Sequence, residues 1–161
     1  MRLQNCTALV TGGSSGIGRG ISIEFAREGE RVVVTDIQEA PSRCKYHEQN
    51  TITPTVDEIE KLGAQGLFVK TDISDDTQVG HLIQKTVEYF GGLDILVNNA
   101  GIHIPGNSQE LSIADWAKVV GVDPDWKVLV DHSKTARLIG GINITGGKTD
   151  SVFFIEDPIL G

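Results

Sequence analysis

The sequence changes character at residue 12. An apolar run, Thr7-Ala8-Leu9-Val10-Thr11, breaks into Gly12-Gly13-Ser14-Ser15-Gly16-Ile17-Gly18, and helical spacing starts at once with Ile17, Ile21, Phe25 and Ala26. A short apolar run with β-branched ends reads as a buried strand. Glycines placed directly after it let the backbone bend sharply and let a ligand come close. The first N–H groups of the helix that follows have no partner within the helix, and they carry the positive end of its dipole. Strand, glycine turn and helix start together suit an anion, above all a phosphate. Gly12, Gly16 and Gly18 are the glycines that fit this role, with Ser14 and Ser15 as further donors. Their spacing is G-x-x-x-G-x-G, not the commoner G-x-G-x-x-G.

The rest of the chain extends this unit. Apolar runs at 6–11, 31–36, 64–72 and 93–101 alternate with helical patterns at 55–63 and 74–92. The runs are continuously apolar rather than alternating, which marks strands buried on both faces. Strand–helix alternation with such strands predicts an α/β fold, a parallel sheet covered by helices on both sides. Gly29 is placed to stop the first helix, and Thr55 with Glu58 reads as a capping box for the second. Ser74 reads as the cap of the third, with Val79, Leu82, Ile83, Val87 and Phe90 on one face. Residues 37–54 read as an irregular polar insert between prolines. After residue 123 the rhythm is lost.

Composition excludes several classes. Lys and Arg number 14 against 22 Asp and Glu, a net charge of −8, whereas a nucleic-acid surface needs a basic footprint. The apolar runs are too short to cross a bilayer, and no apolar leader precedes the first strand. Cys6 and Cys44 make no disulfide framework and fit reduced thiols in a cytoplasmic chain. His47, His81, His103 and His132 lie on separate elements without metal-ligand spacing, so no metal site is expected.

Asp36 ends the second strand, 18 residues after Gly18. An acidic residue about 20 residues beyond the glycine turn is placed to hold the adenosine ribose hydroxyls of a dinucleotide. A 2′-phosphate there would meet a carboxylate, and Ile37 offers no cation. The expected cofactor is therefore NAD rather than NADP.

Four segments, "TGGSSGIG" at 11–18, Asp36, "TDIS" at 71–74 and "NNAG" at 98–101, occur in order on the expected elements. Over residues 3–123 the chain resembles the short-chain dehydrogenase/reductase family. The resemblance implies a Rossmann-type doubly wound sheet, incomplete relative to the full family fold. It implies that Gly12, Ser14, Ser15, Gly16, Ile17 and Gly18 hold the diphosphate of NAD. Asp72 and Ile73 would border the adenine, and Asn99, Ala100 and Gly101 would lie along the cofactor ribose. The implied reaction is hydride transfer between NAD and a small-molecule alcohol or carbonyl. A homo-oligomer is also implied, with Val119 and Val120 on the interface helix.

The family's proton donor is a Tyr followed four residues later by Lys, assisted by Ser and Asn. Tyr46 is followed by Asn50 and Tyr89 by Leu93, and the Asn position holds Asp123. The catalytic residues are therefore unassigned. The natural division is 1–123 as the NAD-binding domain and 124–161 as a divergent tail. Within the tail, "GGINITGGKT" at 140–149 matches the family's fifth strand, with Thr145 or Gly146 at the Ser position, or its C-terminal segment, or neither. Strand four would expose an apolar edge if nothing paired with it, so part of 126–155 is expected to do so. A second reading of function is a catalytically inactive dinucleotide-binding module, acting by binding or by pairing with a full-length relative.

Overall fold

The structure, a computed structural model, describes residues 6–42, 53–102, 104, 112–122, 140–143 and 152–153, with side chains described to Val119 within the last helix. Cys44, Tyr46, His47, His103, Asp123, His132, Thr145 and Gly146, which figure in the sequence reading, lie outside them, as does the side chain of Val120.

Six strands form one sheet: β1 (Thr7–Thr11), β2 (Arg31–Asp36), β3 (Gln65–Lys70), β4 (Ile95–Asn98), β5 (Gly140–Asn143) and β6 (Val152–Phe153). Their spatial order is β3-β2-β1-β4-β5-β6. The first five run parallel, and β6 is antiparallel to β5. The helices are α1 (Gly16–Arg27), α2 (Thr55–Lys61), α3 (Asp76–Phe90) and α4 (Ile113–Val122). The chain winds outward from β1 to β3 and then returns to the other side of β1 with β4. Along that edge of β4, Gly140–Asn143 pairs in register with Ile95–Asn98.

The pleat of the strands explains the two-sided core. Leu9, Val33 and Leu96 point to one face and pack with Val79, Leu82, Ile83 and Phe90 of α3. Val10, Val32, Val34 and Val97 point to the other and pack with Ala26 of α1 and Ile59 of α2. Alternate residues of one strand thus feed opposite layers, which is why the strands show no polar alternation. Full burial of one such side chain contributes roughly 1.5–3 kcal/mol. The exposed Arg27–Glu24 and Lys61–Glu58 pairs are solvated and contribute little by comparison.

Two helix starts differ from the sequence expectation. The cap of α3 is Asp75, not Ser74: its Oδ1 accepts from the N–H groups of Thr77 at 2.9 Å and Gln78 at 3.2 Å. The Ser74 hydroxyl is already donating to Asp72 Oδ1. Hydrogen bonds from the Gln78 side chain and from these amides hold the Asp75 carboxyl below its usual range. Thr55 is not an N-cap but the first helical residue of α2, after Pro54. Its hydroxyl is buried and turns away to the glycine-rich loop, donating to Gly13 O at 2.9 Å.

A cleft at the carboxyl ends of the strands

The chain order reverses between β1 and β4, and in an open α/β sheet the crevice forms beyond the strand ends at that switch point. The local sequence builds it from the bottom up. Thr11 ends β1 buried, and its Oγ1 donates to Val97 O and accepts from the N–H groups of Asn99 and Ala100, each at 3.0 Å. The Asn99 side chain returns the link, with Nδ2 donating to the carbonyls of Thr11 at 2.9 Å and Gly12 at 3.2 Å. The end of β4 and the glycine-rich loop are thereby one unit. Gly18 lies beneath the loop, where a Cβ would collide with the Gly12 carbonyl and the Asn99 amide. Gly16 begins α1 at φ +54°, and a Cβ there would meet nothing within 4 Å. One glycine is required for close packing, the other for its left-handed backbone and its open face.

Beside the loop, Asp36 is held as an acceptor. Its Oδ2 takes the Ser14 N–H at 3.2 Å and its Oδ1 takes the Ile37 N–H at 2.8 Å. Gly13 N–H also donates to Thr35 O, so the loop is fastened to the end of β2 as well as β4.

The resulting open cleft has a volume of about 850 Å³, within the roughly 300–1,000 Å³ usual for small-molecule sites. It brings together nine of the twelve residues singled out in the sequence. Gly12, Ser15 and Gly16 come from the loop, Asp36 from β2, Asp72 and Ile73 from the turn after β3, and Asn99, Ala100 and Gly101 from the turn after β4. Three do not line it. Ser14 is buried at 1% exposure and contributes through its backbone. Ile17 is 63% exposed on the outer side of α1. Gly18 is buried under the loop. Gln38, Ser42 and Lys118 also border the cleft and were not legible beforehand. They lie on turns or on α4 and belong to no spaced motif.

Tyr89 lies far from this cleft, edge-on to Phe90 at the end of α3, beside the starts of the strands. Among the described residues no cluster of three metal-ligating side chains occurs, and no helix is long and apolar enough to cross a membrane.

The profile of the short chain dehydrogenase family matches residues 6–124. Among similar proteins, the (2S)-[(R)-hydroxy(phenyl)methyl]succinyl-CoA dehydrogenase subunit BbsD of Thauera aromatica is 37% identical over 123 residues, 76% of this chain and 46% of that protein. The 2,5-dichloro-2,5-cyclohexadiene-1,4-diol dehydrogenase LinX of Sphingobium indicum is 38% identical over 122 residues, 76% of this chain and 45% of that protein. A crystal structure of a short chain dehydrogenase from Burkholderia cenocepacia in complex with NADP superposes with a TM-score of 0.72 at 34% identity, covering 84% of this chain and 52% of that one. The chain spans about half the length of these relatives. With the family profile matched across most of its length, and with the sheet order and strand-end cleft described above, the chain belongs to the short-chain dehydrogenase/reductase family.

Proposed function

We propose that the cleft binds NAD(H) and that the reaction it serves is hydride transfer to or from an alcohol or carbonyl. In this reading residues 1–123 are the nucleotide-binding unit. Gly16 presents an open face at the start of α1, so the diphosphate nests against the amides there. Asp36 receives the adenosine ribose hydroxyls, Asp72 and Ile73 flank the adenine, and Asn99, Ala100 and Gly101 lie along the second ribose. Bound there, a nicotinamide dinucleotide supplies or accepts the hydride. The chain's own residues bind and orient it.

The observation that carries this reading is the Asp36 carboxylate on the cleft wall, fastened to the Ser14 N–H of the loop. Hydroxyl donors suit it, whereas a 2′-phosphate about 4 Å away would be repelled by roughly 4 kcal/mol at an effective dielectric near 20. Among the described residues no cation lies in ion-pair range of Asp36. The Burkholderia relative binds NADP in its crystal, which makes this preference the sharpest part of the reading. Fluorescence titration tests it. The chain is expected to bind NADH more tightly than NADPH, and Asp36→Ala is expected to weaken NADH by about tenfold or more and to narrow the ratio. A ratio unmoved by Asp36→Ala defeats the assignment.

One observation favours a second reading. Neither tyrosine in the sequence is followed four residues later by lysine, and Tyr89 lies at the wrong end of the sheet. Loss of a general acid removes roughly 10²–10⁴-fold of rate. The chain would then act as a binding module without turnover of its own. Turnover on a panel of alcohols and ketones separates the two. For either reading we place the contact between copies on α4, where Ile113 is 89% exposed and Trp116 61%.

A further inference from the structure

Arg19 is an unusual side chain to find under a phosphate-type loop. It lies in the first turn of α1 yet is only 6% exposed. Among the described residues no carboxylate lies in ion-pair range of it. Its Nη1 instead donates to two neutral oxygens, Thr53 O at 2.9 Å and Thr55 Oγ1 at 3.0 Å. Thr55, 1% exposed, passes the contact on. Its hydroxyl donates to Gly13 O at 2.9 Å and, more weakly, to Ser14 O at 3.3 Å. A guanidinium is always charged and presents a rigid fork of donors. It therefore fixes Thr55 as its acceptor and leaves the hydroxyl proton for the loop. At the other end of the insert, the Ser42 N–H donates to Ser15 Oγ at 2.6 Å. Ser42 and Thr55 thus each fasten to the glycine-rich loop.

A peptide plane carries a carbonyl and the next N–H in opposite directions. Holding the Gly13 carbonyl toward α2 turns the Ser14 N–H the other way, to Asp36. We infer that Arg19 and Thr55 are positioning residues that set the glycine-rich loop in its dinucleotide-binding form. The inference rests on the proposed dinucleotide site for its ligand but not for its geometry, because the clamp is a property of the free chain.

The test therefore has two readouts on the full chain: amide hydrogen exchange at residues 13–16 without ligand, and the Kd for NADH. Thr55→Val keeps the shape and removes the donor. It is expected to speed exchange at 13–16 by about tenfold and to raise the NADH Kd by a similar factor, with α3 amides unchanged, since loss of a buried hydrogen-bond partner is felt on that scale. Thr55→Ser restores both. Arg19→Met is expected to act in the same direction, and the double variant to be no worse than the more severe single one. It also decides the matter if Thr55→Val does not fold. Loop exchange and Kd both unchanged in a folded variant overturn the inference, as does a general loss of stability that leaves the loop no more exposed than α3. If the unaltered chain binds no NADH, the functional reading falls, and loop exchange alone decides the clamp.

Discussion

The two ends of β2 carry two carboxylates in opposite circumstances. Asp36, at the carboxyl end, is half-buried and accepts two backbone N–H groups. Glu30, one residue before the strand begins, is 1% exposed, and neither of its oxygens has a hydrogen-bond partner among the described residues. Burial, with repulsion from Glu28, pushes Glu30 up to about 7. Its influence reaches Cys6, whose thiol is raised by burial first and then by Asp94 and Glu30. The contrast shows what organisation means at the strand ends. At the cleft, each acid and each turn is held by specific donors and is left facing solvent or ligand. At the opposite end, Arg31 stacks on Phe90 and donates to its carbonyl, but Glu30 is simply enclosed. One end is preorganised by its donors; the other is a stability liability.

The severest way to break the cleft end is Gly18→Ala. The added methyl has backbone and the Asn99 amide in its way, and neither is the free end of a flexible chain. Overpacking of this kind costs about 3 kcal/mol or more, and NADH affinity is expected to fall more than about a hundredfold. Calorimetric titration with a denaturation curve checks both, and near-normal affinity would show that the loop does not need this close approach.

Glu30 gives the next largest effect, on stability alone. Its folded pKa lies above the unfolded value of 4.5, so the folded state binds the proton more tightly. The associated stability is fully present below about pH 4.5 and is lost as pH rises through about 7. The loss amounts to at most about 3 kcal/mol. Glu30→Gln, which cannot ionise, is expected to remove that component, so the difference between the two proteins' urea midpoints grows from pH 4.5 to 8. Parallel curves would mean that water or a neighbour satisfies the acid. NADH affinity is expected to stay the same, which separates this end of the sheet from the other.

The two ends also differ in how far the sequence exposes them. The loop glycines and Asp36 were legible because strand, glycine turn and helix start follow one another at fixed spacing, with an acid at the end of the next strand; Asp72 and the Asn99 turn were legible only through the family resemblance that their segments carry. The strands were legible because burial on both faces leaves no polar alternation. Glu30 was not: within "EGE" nothing distinguishes a solvated acid from an enclosed one, since its burial is a property of the folded chain and not of its sequence neighbours. Thr55 misled for a related reason. Its spacing to Glu58 satisfies the local capping pattern, but a tertiary acceptor, the Gly13 carbonyl, won the hydroxyl. Ser74 lost its cap to its neighbour because α3 begins one residue later than its pattern suggests, which leaves Asp75 as the extended residue before it.

A smaller effect comes from Thr11, the knot between β1 and β4. Thr11→Val leaves the Asn99 and Ala100 N–H groups without their acceptor, at a cost of about 2 kcal/mol. Because those groups sit on the cleft wall, NADH affinity is expected to fall as well, by about tenfold. Stability loss with affinity intact would mean that the turn after β4 is held well enough by the Asn99 side chain.

The finest comparison uses two glycines of positive φ at opposite ends of the sheet. Gly16 begins α1 at φ +54° and Gly91 ends α3 at φ +85°, and at each an added Cβ meets nothing within 4 Å. Replacement by alanine therefore isolates backbone strain, roughly 1–2 kcal/mol in either place. Gly91→Ala is expected to lower stability by that amount and leave NADH affinity alone, because α3 ends beside the starts of the strands. Gly16→Ala is expected to lower stability equally and to weaken NADH further, because the new methyl stands in the cleft. Equal affinities for the two variants would mean that the ligand does not approach the start of α1 closely, and the contrast between the two ends would lose its functional half.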